Sequence, residues 1–507
     1  MAVALRNDVL VPKDRDPTVV ELLAKVREYH PTADVNLIQR AFVFAEQHHR
    51  PQRRKNGDPY IGHPVAVAHI VASMKLDEAT LCAALLHDTV EDTSVTVEQV
   101  AEIFGEEIAH LVDGVTKLNK IRFRSKEERQ AENFRKMLIA MSQDIRVILV
   151  KLADRTHNMR TLRHMPEHKQ RIIASETMDI FAPLANRLGL GAIKSELEDQ
   201  SFRYLHPDDF QRLREQIALR LEERRGYIGE VIGELGEIIR EEGIDAEVSG
   251  RPKHFWSIHK KMVRQQIPFE KVYDHMAFRV LVDRQSDCYH VLGLIHDRWR
   301  PIPGRFKDYV ALPKPNKYQS LHTTVIGPGG HRVEVQIRTH AMHRIAEGGI
   351  AAHWKYKDGG RVGAKDEERF DWLKRLMEWH REFEDPNEFL ESVKVELFAD
   401  EVYTFTPKGE LKVLPRGSTP VDFAFSIHSQ VGATCSGAIV NSSIVPLTYV
   451  LKNGDIVEII TNRNQRPNKD WLKFVATNRA KNRIKAFIKK EQRERSLELG
   501  EQLLDKA

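Results

Sequence analysis

The chain has 507 residues, 41% of them hydrophobic and 30% charged, a length beyond the roughly 250–300 residues at which a single core stops growing, so several domains are expected. Lys and Arg total 78 against 73 Asp and Glu, a net +5, which is too small a surplus to mark a nucleic-acid-binding protein by charge alone. Cys82, Cys288 and Cys435 lie far apart, which excludes a disulfide framework or a cysteine zinc finger and fits a reducing cytosol; with charges scattered through Met1–Asp16 and no run of about 18 apolar residues, neither a leader nor a membrane span is expected.

From Thr18 to Tyr204 apolar residues recur at three and four positions, as in Ile38, Ala41, Phe42 and Ala45, which predicts a mostly helical domain over 1–200. Four segments in it offer metal-type ligands: Tyr60-Ile61-Gly62-His63-Pro64, Leu86-His87-Asp88, Glu91-Asp92 and Lys151-Leu152-Ala153-Asp154-Arg155-Thr156-His157-Asn158. On a helix His87 and Glu91 share a face, as do Asp88 and Asp92. Imidazole and carboxylate together suit Mn, Fe or Zn better than Mg, and a metal so held makes hydroxide from water near neutral pH. A single histidine is more often a satisfied core or surface residue; the ordered set carries the reading. That set resembles the HD-domain phosphohydrolases, which implies His63, His87, Asp88 and Asp154 as ligands of a Mn2+ ion. Arg54-Lys55-Asn56-Gly57-Asp58-Pro59-Tyr60 is similar to the loop before the first metal histidine in the RelA/SpoT homologues (Rel), with Asn56 and Asp58 where serine and glutamate are usual. The resemblance implies that Arg54 and Lys55 hold a guanine nucleotide, that Asn158 and Thr161 lie against it, and that Glu91 and Asp92 position or activate the attacking water. The implied reaction is removal of a 3′-pyrophosphate.

Between Leu213 and Glu242 a charged stretch with helical apolar spacing ends at Gly243, which predicts a helical linker over 201–245. Ala277–Val282 and Arg332–Arg338 then read as strands, with Asp371–His380 as a helix, giving an α/β domain over 246–385. Gly250-Arg251-Pro252-Lys253-His254, continued by Ser257, His259, Lys260 and Lys261 on a predicted helix, concentrates cations suited to polyphosphate. In Val333-Glu334-Val335-Gln336-Ile337-Arg338 alternation sends Glu, Gln and Arg to one face, as in any half-exposed strand or as an active-site floor. Asp274 stands ahead of the first strand, able to pair with Glu334 around magnesium. The run Pro301-Ile302-Pro303-Gly304-Arg305-Phe306-Lys307-Asp308-Tyr309 and Pro313-Lys314-Pro315-Asn316-Lys317-Tyr318-Gln319-Ser320-Leu321-His322-Thr323-Thr324 resembles the nucleotidyltransferase-like synthetase domain of the Rel family. That family transfers pyrophosphate from ATP to the 3′-hydroxyl of GDP or GTP, giving AMP and (p)ppGpp. The resemblance implies Tyr318 stacked on guanine, Asp274 and Glu334 as catalytic carboxylates serving Mg2+ and the 3′-hydroxyl, and Arg251, Lys253, Lys307, Lys314 and His322 on phosphates. Ser257, Asp308, Asn316 and Gln319 are implied in the same site. Arg305-Phe306-Lys307-Asp308 is similar to the basic motif that accompanies bifunctional members, while His275-Met276 replaces the more usual apolar pair after Asp274.

Val402-Tyr403-Thr404-Phe405, the turn Pro407-Lys408-Gly409-Glu410 and Leu411-Lys412-Val413-Leu414 predict a β-hairpin. Ser418 or Thr419 caps a helix with Pro420 in its first turn, and Ile456–Thr461 is a further strand. After a linker at 386–394, residues 395–462 resemble the TGS domain, a β-grasp fold, which implies His428 as a contact to the 3′ end of uncharged tRNA. The segment 463–507 is expected to be helical, and its Lys473, Arg479, Lys481, Arg483, Lys485, Lys489 and Lys490 suit RNA or ribosome binding or a solvated face equally. Long Rel proteins continue into zinc-finger-like and ACT-type domains, and the sequence leaves open whether this chain is a fragment of such a protein. The whole reads as a multidomain α and α/β cytoplasmic enzyme with two antagonistic sites; the rivals are a hydrolase with a regulatory nucleotide-binding α/β region and a silent ribosome- or tRNA-associated module.

Overall fold

A computed structural model describes residues 17–117, 144–223, 225–269, 272, 276–314, 316–349 and 401–505. The chain forms two compact units, Met1–Glu382 and Phe383–Ala507. Asp274, His275, the linker at 386–394 and the helix expected over Asp371–His380 lie outside the described residues.

The first unit opens with helices α1 (Val19–Tyr29), α2 (Val35–His49), α3 (Gly62–Ser73), α4 (Glu78–Leu86), α5 (Thr89–Asp92), α6 (Val97–Phe104), α7 (Glu106–Lys117) and α8 (Ile145–Arg160). Their starts follow from the sequence: Thr18 and Glu21 form a capping box on α1, Thr96 and Gln99 another on α6, and Asp34, Asp77 and Asp144 cap α2, α4 and α8. Central helices α3 and α4 are apolar on nearly every side, and Val65–Ala68 and Leu81–Leu86 are buried, as expected of helices enclosed by others. His63 and His87 sit at the ends of these two helices and enter the core with them. Next come α9 (Glu167–Glu176), a π-helical turn (Thr177–Phe181), α10 (Ala182–Arg187) and α11 (Gly191–Leu205).

Helices α12 (Pro207–Glu223) and α13 (Arg225–Glu241) occupy the predicted linker, and Gly243 at φ 68° ends it. The α/β part holds β1 (Ala246–Pro252), α14 (Phe255–Gln265), β2 (Met276–Val282), α15 (Gln285–Arg298), β3 (Arg300–Pro301), β4 (Lys307–Asp308), β5 (Leu321–Ile326), β6 (Arg332–Thr339) and α16 (His340–Gly348). The sheet runs β1-β2-β6-β5-β3 with β4 on β5; β2 and β6 are parallel and the other neighbours antiparallel. One face, with Val280, Val325, Val333, Val335 and Ile337, is sealed by Ile228, Val231 and Leu235 of α13 and Val291 and Ile295 of α15. α13 is thus a covering helix of the sheet rather than a free spacer. The opposite face carries Glu334, Gln336 and His322.

In the second unit β7 (Glu401–Phe405) and β8 (Leu411–Pro415) form the predicted hairpin, and β9 (Cys435–Val440), β10 (Ser443–Val445) and β11 (Val457–Thr461) a three-stranded sheet, joined to the hairpin by a Phe405–Ile456 bridge. α17 (Pro420–Ile427) begins at the expected Thr419 cap, and α18 (Ser429–Ala433) follows. The basic tail is not a separate arm: Trp471, Val475, Ala480 and Ile484, the last two on α19 (Asn478–Asp505), share a core with Val421 and Phe425.

Candidate active sites

The first site forms where α3, α4, α5 and α8 converge. His63 Nε2 lies 3.3 Å from Asp154 Oδ1 and 3.5 Å from Asp88 Oδ2, and His87 Nε2 lies 3.1 Å from Asp88 Oδ1. The ligand atoms of His63, His87 and Asp88 all fall within 4.8 Å of one another. All four side chains are buried. His87 Nδ1 donates to Ala84 O at 2.8 Å, which leaves the Nε2 lone pair facing the cluster. That nitrogen, buried, has no hydrogen-bond partner. An acceptor nitrogen without a donor, beside a second imidazole and two carboxylates, fits a divalent cation and little else.

Burial pulls His63 down to about 4, so its imidazole is neutral. Burial alone would raise Asp154 and Asp88, but Lys151 and the hydrogen bond with His63 hold Asp154 well below the usual carboxylate range, and Asp88 is lowered as well. Lys151 Nζ reaches Asp154 Oδ2 at 2.7 Å, and Asn158 Nδ2 donates to Asp154 Oδ1 at 2.5 Å. Neutral imidazoles and ionised carboxylates are the forms that ligate.

His87 and Asp88 do not continue a helix into Glu91 and Asp92 as the spacing suggests: α4 ends at Leu86 and a one-turn α5 restarts at Thr89. The Asp88–Asp92 pairing survives, because Asp92 N donates to Asp88 O, and Tyr60 Oη donates to Asp88 Oδ2 at 2.8 Å and lies 3.1 Å from Asp92 Oδ2. Glu91 sits half-buried on that turn, and Asp92 is exposed. Arg54 donates to Thr161 Oγ1 at 3.0 Å, so the basic loop and the end of α8 meet at the rim; Lys55 is exposed beside them. The sequence places Tyr60, Lys151 and His157 within the ligand-bearing segments without marking a role for any of them. His157 Nδ1 lies 2.7 Å from His63 Nδ1 and orients that ring; the signal was its place three residues after Asp154, one helical turn on the same face.

The second site is a cavity of about 380 Å³ above the polar sheet face, lined by Lys253, Ser257, Lys261, Lys314, Tyr318 and Arg338 among others. Lys253 Nζ pairs with Glu334 Oε2 at 2.7 Å. Lys314 Nζ stands 4.7 Å from the Tyr309 ring and 5.1 Å from the Tyr318 ring, with Arg338, 1% exposed, 6.0 Å from Tyr318. Cations over aromatic faces hold those rings in place. Tyr318 Oη is hydrogen-bonded to His322 Nε2 at 2.8 Å, and burial, with Lys314 and Lys307 nearby, takes His322 down to about 3. His322 is therefore an uncharged hydrogen-bonding group in this cavity.

Asn316 accepts from Tyr318 N and donates to Asn186 O, closing the turn that carries Tyr318, and Gln319 donates to Val310 O. Asp308 Oδ1 accepts from Val310 N and Ala311 N, and Oδ2 accepts from Tyr289 Oη at 3.0 Å, so its oxygens shape the loop after β4. Lys307 is exposed and lies opposite His322 in the β4–β5 register. Arg251 sits on β1 opposite Ala277. Sequence reading missed Asn186, Lys194 and Ser195, which line the cavity from the helical region; no local pattern places them there. In the second unit His428 is exposed between α17 and α18, its Nδ1 accepting from Gln430 N.

A helical core holding a metal-type His and Asp cluster, an α/β part with a cation-lined cavity, and a small β-sheet module define a multidomain protein with two separate candidate sites. The comparisons agree domain by domain: residues 41–191 match the HD domain, 250–361 the region found in RelA / SpoT proteins, and 402–461 the TGS domain. The chain is 58% identical over 484 residues to a GTP pyrophosphokinase of Myxococcus xanthus, covering 95% of this chain and 64% of that protein. It is 51% identical to a probable guanosine-3′,5′-bis(diphosphate) 3′-pyrophosphohydrolase of Synechocystis sp., covering 94% and 63%. A guanosine-3′,5′-bis(diphosphate) 3′-pyrophosphohydrolase of Aquifex aeolicus is 49% identical, covering 96% of this chain and 69% of that one. The chain belongs to the RelA/SpoT family, and it spans less than two thirds of the first two relatives. Among the described residues no helix is long and apolar enough to cross a membrane.

Proposed function

We propose that the protein is a bifunctional cytoplasmic alarmone enzyme with domains bounded as the sequence reading has them, except that the TGS core draws on the following segment. One observation carries the reading: a single compact unit holds both a buried His63, His87, Asp88 and Asp154 cluster and a separate cation-lined cavity around Tyr318.

In the helical site the four residues hold a divalent ion, Mn2+ being our assignment, which when bound supplies a hydroxide-forming water and neutralises phosphate charge. Arg54, Lys55, Asn158 and Thr161 seat the nucleotide of (p)ppGpp. Glu91 and Asp92 orient the attacking water and take up its proton, so that (p)ppGpp and water give GDP or GTP and pyrophosphate. In the α/β site Tyr318 stacks on guanine, and Arg251, Lys253, Lys307 and Lys314 bind phosphates with Ser257, Asn316, Gln319 and neutral His322. Glu334, with Asp274, accepts the 3′-hydroxyl proton as that oxygen attacks the β-phosphorus of ATP, AMP leaves, and (p)ppGpp forms. Mg2+ is assigned to Asp274 and the phosphates, where charge neutralisation and positioning carry the catalysis. Running together the two reactions would only consume ATP, so the sites are read as antagonistic, each ligand favouring one global state. His428 and the basic α19 are assigned to uncharged tRNA and the ribosome.

The test is a paired product assay on the whole chain. Synthesis of ppGpp and AMP from ATP, GDP and Mg2+, together with pyrophosphate release from ppGpp with Mn2+, is expected. Hydrolysis without synthesis would reduce the α/β region to a regulatory nucleotide site, and neither reaction would leave a binding module.

A further inference from the structure

Helix α11 belongs by chain order to the helical region, yet it builds part of the other site. Its Asp199, 8% exposed, stands at the start of α14. Oδ1 accepts from Trp256 N at 2.9 Å, and Oδ2 lies 3.4 Å from His254 Nδ1. Helix α14 has no cap of its own: His254 occupies the N-cap position and makes no side-chain cap hydrogen bond. The acceptor oxygen that a local Ser or Asp ordinarily supplies to the first turn thus comes from 57 residues earlier in the chain.

What this cap holds is the cationic wall of the cavity. Ser257 and Lys261, one turn apart on α14, and Lys253, just before it, all line the cavity. Apolar contacts set how closely the two helices approach: Phe202 of α11 packs with Phe255 and Ile258 of α14, its ring 5.4 Å from Trp256. Such contacts are non-directional and leave rotation and sliding along the helix axis loosely set, whereas a hydrogen bond to one specified N–H fixes both. On the same helix Glu196 accepts from Nε and Nη2 of Arg160 on α8, at 2.5 and 2.8 Å, so α11 is anchored to α8 independently of Asp199.

We propose that Asp199 is a positioning residue for nucleotide binding in the α/β site, acting through α14. The proposal rests on reading that cavity as a nucleotide site. The experiment uses the full chain with Mg2+: wild type, Asp199→Ala, Asp199→Asn and Asp199→Glu, titrated with GDP by calorimetry, assayed for synthesis, and checked for folding by thermal denaturation. Asp199→Ala should weaken GDP binding and raise its KM about tenfold with kcat changed far less, as for loss of one cap that places several phosphate ligands. Asp199→Asn, which keeps an acceptor for Trp256 N, should recover most of the affinity, and Mn2+ uptake by the helical site should be unchanged in both. Wild-type GDP affinity in Asp199→Ala, or equal losses in the Ala and Asn variants, overturns the proposal. Should Asp199→Ala fail to fold, Asp199→Glu decides: its carboxylate is displaced by one methylene, so reduced affinity supports the proposal and unchanged affinity overturns it. A wild type that binds no GDP would instead overturn the reading of the cavity.

Discussion

His87 shows how much one side chain carries in the helical site. Its Nδ1 is held by Ala84 O and its Nε2 has nowhere to point but the cluster, so His87→Ala should cut pyrophosphate release from ppGpp by roughly a hundredfold or more and leave synthesis intact; retained hydrolysis with Mn2+ would remove the site assignment. Tyr318→Ala should do the converse, raising KM for the guanine nucleotide about tenfold or more, the range measured for loss of a base-stacking ring, and steady-state synthesis kinetics check it. His322 gives a pH signature. An imidazole at about 3 in the fold against about 6.5 in the unfolded chain binds fewer protons folded than unfolded between those values. Its contribution to stability is complete above about 6.5 and is lost as pH falls towards 3. His322→Gln should therefore lose less stability than the parent between pH 7.5 and 5, by roughly 1–2 kcal/mol, read from urea midpoints at the two values.

Among the elements, the Asp422 bracket shows how the second unit is tied together. Buried at the first turn of α17, its carboxylate accepts from Thr419 N and Oγ1, Ala476 N, and Thr477 N and Oγ1, at 2.7–3.1 Å. Asp422→Ala would leave several buried donors without acceptors and should cost on the order of 3 kcal/mol, seen as an earlier denaturation of the second unit followed by Trp471 fluorescence; an unchanged transition would show that α19 holds by its apolar contacts alone. The sequence made α17 legible through Thr419 and Pro420, but not this bracket. Thr477 lies 55 residues from Asp422, beyond any helical or turn spacing.

For the molecule as a whole, the helical region and the α/β part meet through backbone. Gly189, at φ 74°, and Gly191 pack against the end of α16, where Gly349 stands at φ 53°. A Cβ on Gly349 would lie 2.3 Å from Leu188 O and 2.5 Å from Gly189 C, and one on Gly191 would lie 2.8 Å from Ala346 O. With Asn316 donating to Asn186 O, this contact joins the α10–α11 turn to the loop that carries Tyr318. Gly349→Ala combines a disfavoured backbone conformation with a clash against backbone. It should lower synthesis at least about tenfold by displacing that wall while Mn2+ uptake at His63 and His87 persists; equal damage to both would mean general unfolding, and no effect would remove the contact from any role in coupling.

The sequence by itself determined the local and the covalent. Helix starts at Thr18, Thr96 and Thr419 and the strands around Val280 and Val335 are each set by neighbours within a few positions, where propensity, capping and alternation act. It also carried the likeness to the RelA/SpoT family. Only the tertiary structure decided which distant groups share a site. The break between α4 and α5, the Tyr60 bridge over Asp88 and Asp92, the wall that Asn186, Lys194 and Ser195 add to the α/β cavity, and the cap that Asp199 places on α14 all depend on helices packing across long stretches of chain. Such contacts are chosen by shape and burial rather than by spacing, and leave no periodic mark in the sequence.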